Sequence, residues 1–164
     1  MANVPVDNHL TEVPRGGPAV PDETSLLGMR HRELDELFRA SPPGEIPTGV
    51  LDGTAILFPG RRPARPLAAV VRKLAWRGKV VEPAGRALRN RVTPLEIKAF
   101  AAVVYREASH VDGQDCIVLD YSVTSVLAGG VRDEIRLVAP GLHLGVVWWY
   151  GRRVAWFLLR KPGR

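Results

Sequence analysis

From Asp115 to Leu159 the chain reads as a run of strands joined by hairpin turns. DCIVLDY, VRDEIRLV, LHLGVVWWY and RVAWFLL are rich in β-branched and aromatic residues, and Gly129-Gly130, Pro140-Gly141 and Gly151 punctuate them. Sequential strands at this spacing pair antiparallel, and the resulting edges must be covered or removed by closure. Four further strands are expected upstream, at Val50–Phe58, Lys79–Glu82, Ala87–Val92 and Ala99–Arg106. Asp112-Gly113 is read as a two-residue type I′ hairpin turn leading into Asp115–Tyr121. The expected fold is therefore mainly β: a small antiparallel barrel of about eight strands. An eight-stranded barrel has an interior that side chains fill or that holds one small ligand.

Two helices are expected to flank this barrel. Thr24 to Ala40 carries Leu27, Leu34, Leu37 and Phe38 at helical spacing, and Ser41-Pro42-Pro43-Gly44 stops it. A second helix starts at Pro66, with Leu67, Val70, Val71 and Leu74 as its stripe. Residues 1–22, punctuated by Pro5, Pro14, Gly16, Gly17, Pro18 and Pro21, show no hydrophobic period and read as a flexible tail. Residues 23–164 make up a single domain. Gly53, inside the first strand, is read as a bulge.

Alternation assigns faces, because successive strand residues point to opposite sides. In Val131–Val138, Arg132, Glu134 and Arg136 share one face, while Asp133, Ile135 and Leu137 share the other. The second is the more apolar and is read as interior. The same reasoning turns Tyr121 inwards with Ile117 and Leu119, and Tyr105 inwards with Ala101 and Val103. Tyr105, Tyr121 and Asp133 are thus the polar groups expected inside. A buried carboxylate needs hydrogen-bond partners, and tyrosine hydroxyls can supply them.

The totals narrow the possible functions. A net charge of +6 is spread along the chain, with no basic run of the kind that marks a nucleic-acid-binding tail. No nucleic-acid partner is expected. The single cysteine, Cys116, forms no internal disulfide, which suits a reducing, cytoplasmic setting. There is no signal-peptide pattern at the start and no apolar stretch long enough to span a membrane. His9, His31, His110 and His143 lack metal-ligand spacing, and nucleotide-binding and nucleophile-elbow motifs are absent. Neither a metal nor an organic cofactor is expected.

The order LDELFRASPPGEIPTGVLDGTAILF, LAWRGKVVE, VVYRE, RDEIRLVAPGLHLGVVWW and AWFLL resembles the small bacterial lipocalin-like proteins of the GXWXG type with their adjoining domain of unknown function. Trp76, Gly78 and Lys79 match the W-x-G-K strand of those proteins, whereas Ala55 stands where the first motif has its tryptophan. The resemblance implies a calyx-like barrel.

The first functional expectation is a binder of a small hydrophobic molecule such as a lipid, isoprenoid or polyketide-like compound. Tyr105, Tyr121 and Asp133 would orient its polar end, with Trp148 and Trp156 lining the cavity. The alternative is a cofactor-free cyclase, isomerase or hydrolase in which Asp133 is the acid or base and Tyr121 its partner. A third possibility is an interaction module with a fully packed barrel. Oligomeric state is not legible at this level.

Overall fold

The computed structural model describes residues 21–56, 76–82, 87–92, 101–122 and 130–163. The expected tail up to residue 20 and the helix from Pro66 lie outside the described residues. Two short helices, α1 (Glu23–Gly28) and α2 (His31–Ala40), precede eight strands. These are β1 (Gly49–Ile56), β2 (Trp76–Val81), β3 (Ala87–Val92), β4 (Ala101–Ala108), β5 (Asp115–Asp120), β6 (Val131–Ala139), β7 (Leu142–Trp149) and β8 (Arg152–Arg160). Each strand pairs antiparallel with its neighbours in sequence, and β1 pairs with β8 to close the barrel. Residues Gly49–Asp52 of β1 face β2, while Asp52–Ile56 face β8. This stagger lets a twisted sheet close on itself.

The expected helix over Thr24–Ala40 is two helices. Met29 and Arg30 are both extended, so the chain turns between Gly28 and His31. Each new start has its own cap. Asp22 accepts from the Ser25 amide at 2.8 Å, and Glu33 reaches back to the Arg30 amide at 2.6 Å. The break changes which residues are buried: Leu26, Leu34 and Phe38 are, while Leu27 is exposed.

The barrel wall separates two apolar clusters. Inside lie Leu51, Val81, Leu88, Val104, Ile117, Leu119, Ile135, Phe157 and Leu159, among others. Outside, Leu26, Leu34 and Phe38 of the helices cover Leu144, Val146 and Trp148 of β7 and Trp156 and Leu158 of β8. Strands buried on both faces read as continuous apolar runs rather than alternating ones. That accounts for VVWW and AWFLL.

Two other local expectations are corrected. The β4–β5 connection spans Ser109 to Gln114, closed by Ser109 N–H to Gln114 O at 2.8 Å. Only Gly113 within it has positive φ, so it is not the two-residue type I′ turn, which needs two such residues. The irregularity expected at Gly53 occurs instead at Gly78, where pairing with β3 shifts between Trp76 and Lys79. Gly78 has φ +123°, and a Cβ there would collide with the Leu51 carbonyl. Only glycine fits.

Candidate functional site

Lys79 follows that bulge and points inwards, opposite Leu51. Four strands away, halfway round the barrel, β6 presents Asp133 to the same interior, between Leu119 and Val147. The lysine stem spans the lumen, and its Nζ lies 2.8 Å from Asp133 Oδ2. Lys79 Nζ also donates to the Tyr121 hydroxyl. That hydroxyl in turn donates to Asp133 Oδ2 at 3.4 Å. The ammonium sits 5.0 Å from the centre of the Tyr121 ring and 5.5 Å from that of Phe157. Lys79, Tyr121 and Asp133 are all buried.

Such burial would push the Lys79 ammonium below its ordinary value, but Asp133 and Tyr121 outweigh it and hold the group above that value. The lysine therefore stays charged at neutral pH and is a hydrogen-bond donor rather than a nucleophile. Asp133 commits one oxygen to the cluster. Its other oxygen, Oδ1, is buried and has no hydrogen-bond partner among the described residues.

His143 is the second polar group inside. It pairs across β7 and β8 with Leu159, whose side chain is interior, so its ring shares the lumen face. It is 4% exposed, and neither ring nitrogen has a hydrogen-bond partner among the described residues. Burial lowers it to about 4, with the Glu45 backbone only partly opposing the shift. His143 is accordingly a neutral imidazole at pH 7. Its end of the barrel is crossed by the stretch between α2 and β1. Leu137 N–H donates to Pro42 O at 2.9 Å, Arg106 donates to Gly44 O, and Ile46 packs against the interior cluster.

This burial has a measurable consequence. The unfolded histidine titrates near 6.5 and the folded one near 4, so between these values the unfolded chain binds more protons and stability rises with pH. Acidification through that window should remove roughly 3 kcal/mol on account of His143 alone. Urea midpoints at pH 7 and pH 4 should show His143→Phe losing less stability than the parent by about that amount. Equal losses would contradict the burial of a neutral ring.

The other expected site residues lie elsewhere. Tyr105 points outwards, donating to Asp120 Oδ2 at 3.2 Å, because Ala102 and Val104 are the residues of β4 that face the interior. Trp148 and Trp156 are on the outer face and do not line the lumen. Trp156 meets the Phe38 and His31 rings at 5.9 and 5.6 Å, Trp148 meets His110 at 5.4 Å, and Arg153 lies against both indoles. Cys116 is buried, its thiol pushed up to about 12 by burial and by the charge of Glu134. It is unreactive at neutral pH. No group of three potential metal ligands occurs among the described residues, and no helix there is long and apolar enough to cross a membrane.

No family model matches the chain, and no curated protein does. A solved structure does: a protein from Thermomonospora curvata, 16% identical, covering 82% of this chain and 89% of that one, with a TM-score of 0.58. At that identity the likeness establishes a shared fold. The chain is a closed eight-stranded antiparallel barrel with a structural counterpart in that protein.

Proposed function

We propose that the barrel binds a small, largely hydrophobic molecule whose polar end is held by Lys79, Tyr121 and Asp133. One observation carries this reading: a buried ion pair in an interior whose other described residues are mainly apolar, with Asp133 Oδ1 left without a hydrogen-bond partner among the described residues. An unpaired buried acceptor is costly, and a ligand hydroxyl or amine would satisfy it. Apolar walls with a few convergent polar groups are the usual make-up of a small-molecule site. The resemblance to GXWXG-type lipocalin-like proteins points the same way, since the lysine of its W-x-G-K strand is the interior Lys79. Binding is favoured over acid–base catalysis because Asp133 Oδ2 is already engaged by both Lys79 and Tyr121.

The test uses 1-aminoanthracene, a flat apolar fluorophore with one amine. It should give a saturable rise in fluorescence with one site per barrel. Loss of a charge-assisted hydrogen bond should weaken it about tenfold or more in a Lys79→Met/Asp133→Leu double variant. Absence of saturable binding to the folded parent protein would overturn the reading.

A further inference from the structure

The polar groups of the interior are not gathered at one point. Asp133 pairs with Val147, and His143 lies four residues earlier on β7, on the same lumen-facing side. Register between β6 and β7 is regular from Asp133↔Val147 to Leu137↔His143, so no bulge alters the spacing. Four residues of antiparallel strand span about 13 Å. Between the two ends the wall is Gly145 on β7, with Ile135 and Phe157 opposite it on the neighbouring strands. A Cβ at Gly145 would collide with the Phe157 ring, so the ring lies flat in the space the glycine leaves.

Both ends carry unmet hydrogen-bonding capacity, of different kinds. At the Asp133 end an acceptor, Oδ1, has no partner among the described residues. At the other, both nitrogens of His143 are buried and, beyond the Glu45 backbone that partly opposes its pKa shift, have no hydrogen-bond partner among the described residues. A neutral imidazole offers one donor and one acceptor, the complement of a hydroxyl or an amide. Histidine is a poor choice for a site that only needs filling, because leucine or phenylalanine would pack there without an unpaired polar atom.

Resting on the binding reading above, we infer that the ligand is an elongated apolar molecule with a hydrogen-bonding group at each end. A donor such as a hydroxyl or amine meets Asp133, and a hydroxyl or amide meets His143. The groups are spaced by about 13 Å, the length of a chain of roughly ten carbons or of three fused rings. His143 is then a specificity-determining residue that selects two-ended molecules over one-ended ones.

Displacement of 1-aminoanthracene by 1,10-decanediol and by 1-decanol tests this. The parent protein should bind the diol about tenfold more tightly than the alcohol. In His143→Phe the order should invert, because the second hydroxyl would be buried without a partner. In the parent protein, the ¹⁵N resonances of the His143 imidazole should shift on addition of the diol and stay in place with the alcohol. This measurement stands even if the variant fails to fold. Equal affinities with an unmoved imidazole, a diol preference that survives His143→Phe, or failure of both compounds to displace the fluorophore would each overturn the inference and leave the binding reading intact. Failure of the fluorophore itself to bind would remove both.

Discussion

Replacing Lys79 by methionine should destabilise the barrel by about 3–5 kcal/mol, the usual effect of removing one partner of a buried ion pair. Methionine matches the length of the stem and leaves no large void, so the loss arises from Asp133. That carboxylate would keep only the Tyr121 hydroxyl at 3.4 Å, inside a lumen lined by Leu119, Ile135 and Phe157. The coupled prediction is sharper. Adding Asp133→Leu to Lys79→Met should restore most of the lost stability, because two well-packed apolar residues replace a buried pair at little or no net cost. Urea titrations of the parent, both single variants and the double variant complete the cycle. A double variant no more stable than Lys79→Met would show that the pair does not act as a unit. The restored double variant should still bind 1-aminoanthracene poorly, an outcome that would separate recognition from stability at the ion pair.

The interior site was only half legible in the sequence, for identifiable reasons. Asp133 and Tyr121 follow from parity, since each alternates with Ile, Leu or Val on one face of its strand. Lys79 does not. A lone lysine in Trp-Arg-Gly-Lys reads as exposed, and only the bulge at Gly78 together with the opposite position of β6 sends its stem across the lumen. Parity alone does not orient Tyr105, because both faces of AAVVY are apolar and only pairing of Val104 with Leu119 turns the tyrosine outwards. The inward expectation for Trp148 and Trp156 assumes a half-exposed barrel with one apolar face. Here α2 covers the outside of β7 and β8, so both faces are apolar and the larger residues pack beneath the helix. His143 alternates with Leu142 and Leu144, so parity leaves its face open for the same reason. The strand count, their order and closure were legible because turn residues mark nearly every hairpin. The break at Met29-Arg30 was not, since it depends on how α1 meets the barrel.

Arg136→Met should cost about as much as Lys79→Met, about 3–5 kcal/mol, but should not be rescued by removing its acidic partner. The guanidinium is buried on the outer face of β6 and holds Asp112 with two parallel bonds, of 2.8 and 2.7 Å. It also donates to Phe38 O at 3.0 Å, Gln114 O at 3.0 Å and Asp115 O at 3.1 Å, and lies 4.7 Å from the centre of the Phe38 ring. The Phe38 carbonyl belongs to the last turn of α2, where orphan carbonyls favour a cation. Arg136 thereby fastens both α2 and the β4–β5 connection to the wall. Asp112 is held below its ordinary value, first by the Arg136 hydrogen bonds. Its contribution is therefore present above pH 3.8 and lost on further acidification through its folded value. Removing both Arg136 and Asp112 still takes the guanidinium donor from the Phe38, Gln114 and Asp115 carbonyls, and Phe38 O and Gln114 O then keep only the Ser41 and Ser109 amides. Lysine at 136 keeps the charge and loses the fork, so Arg136→Lys should recover less than half of the loss. Hydrogen exchange separates this role from that of Lys79. In Arg136→Met, amides of α2 and of Ser109–Gln114 should exchange faster at urea concentrations where the interior strands remain protected. Uniform loss of protection throughout the barrel would show that Arg136 supports the whole fold rather than the attachment of its outer layer.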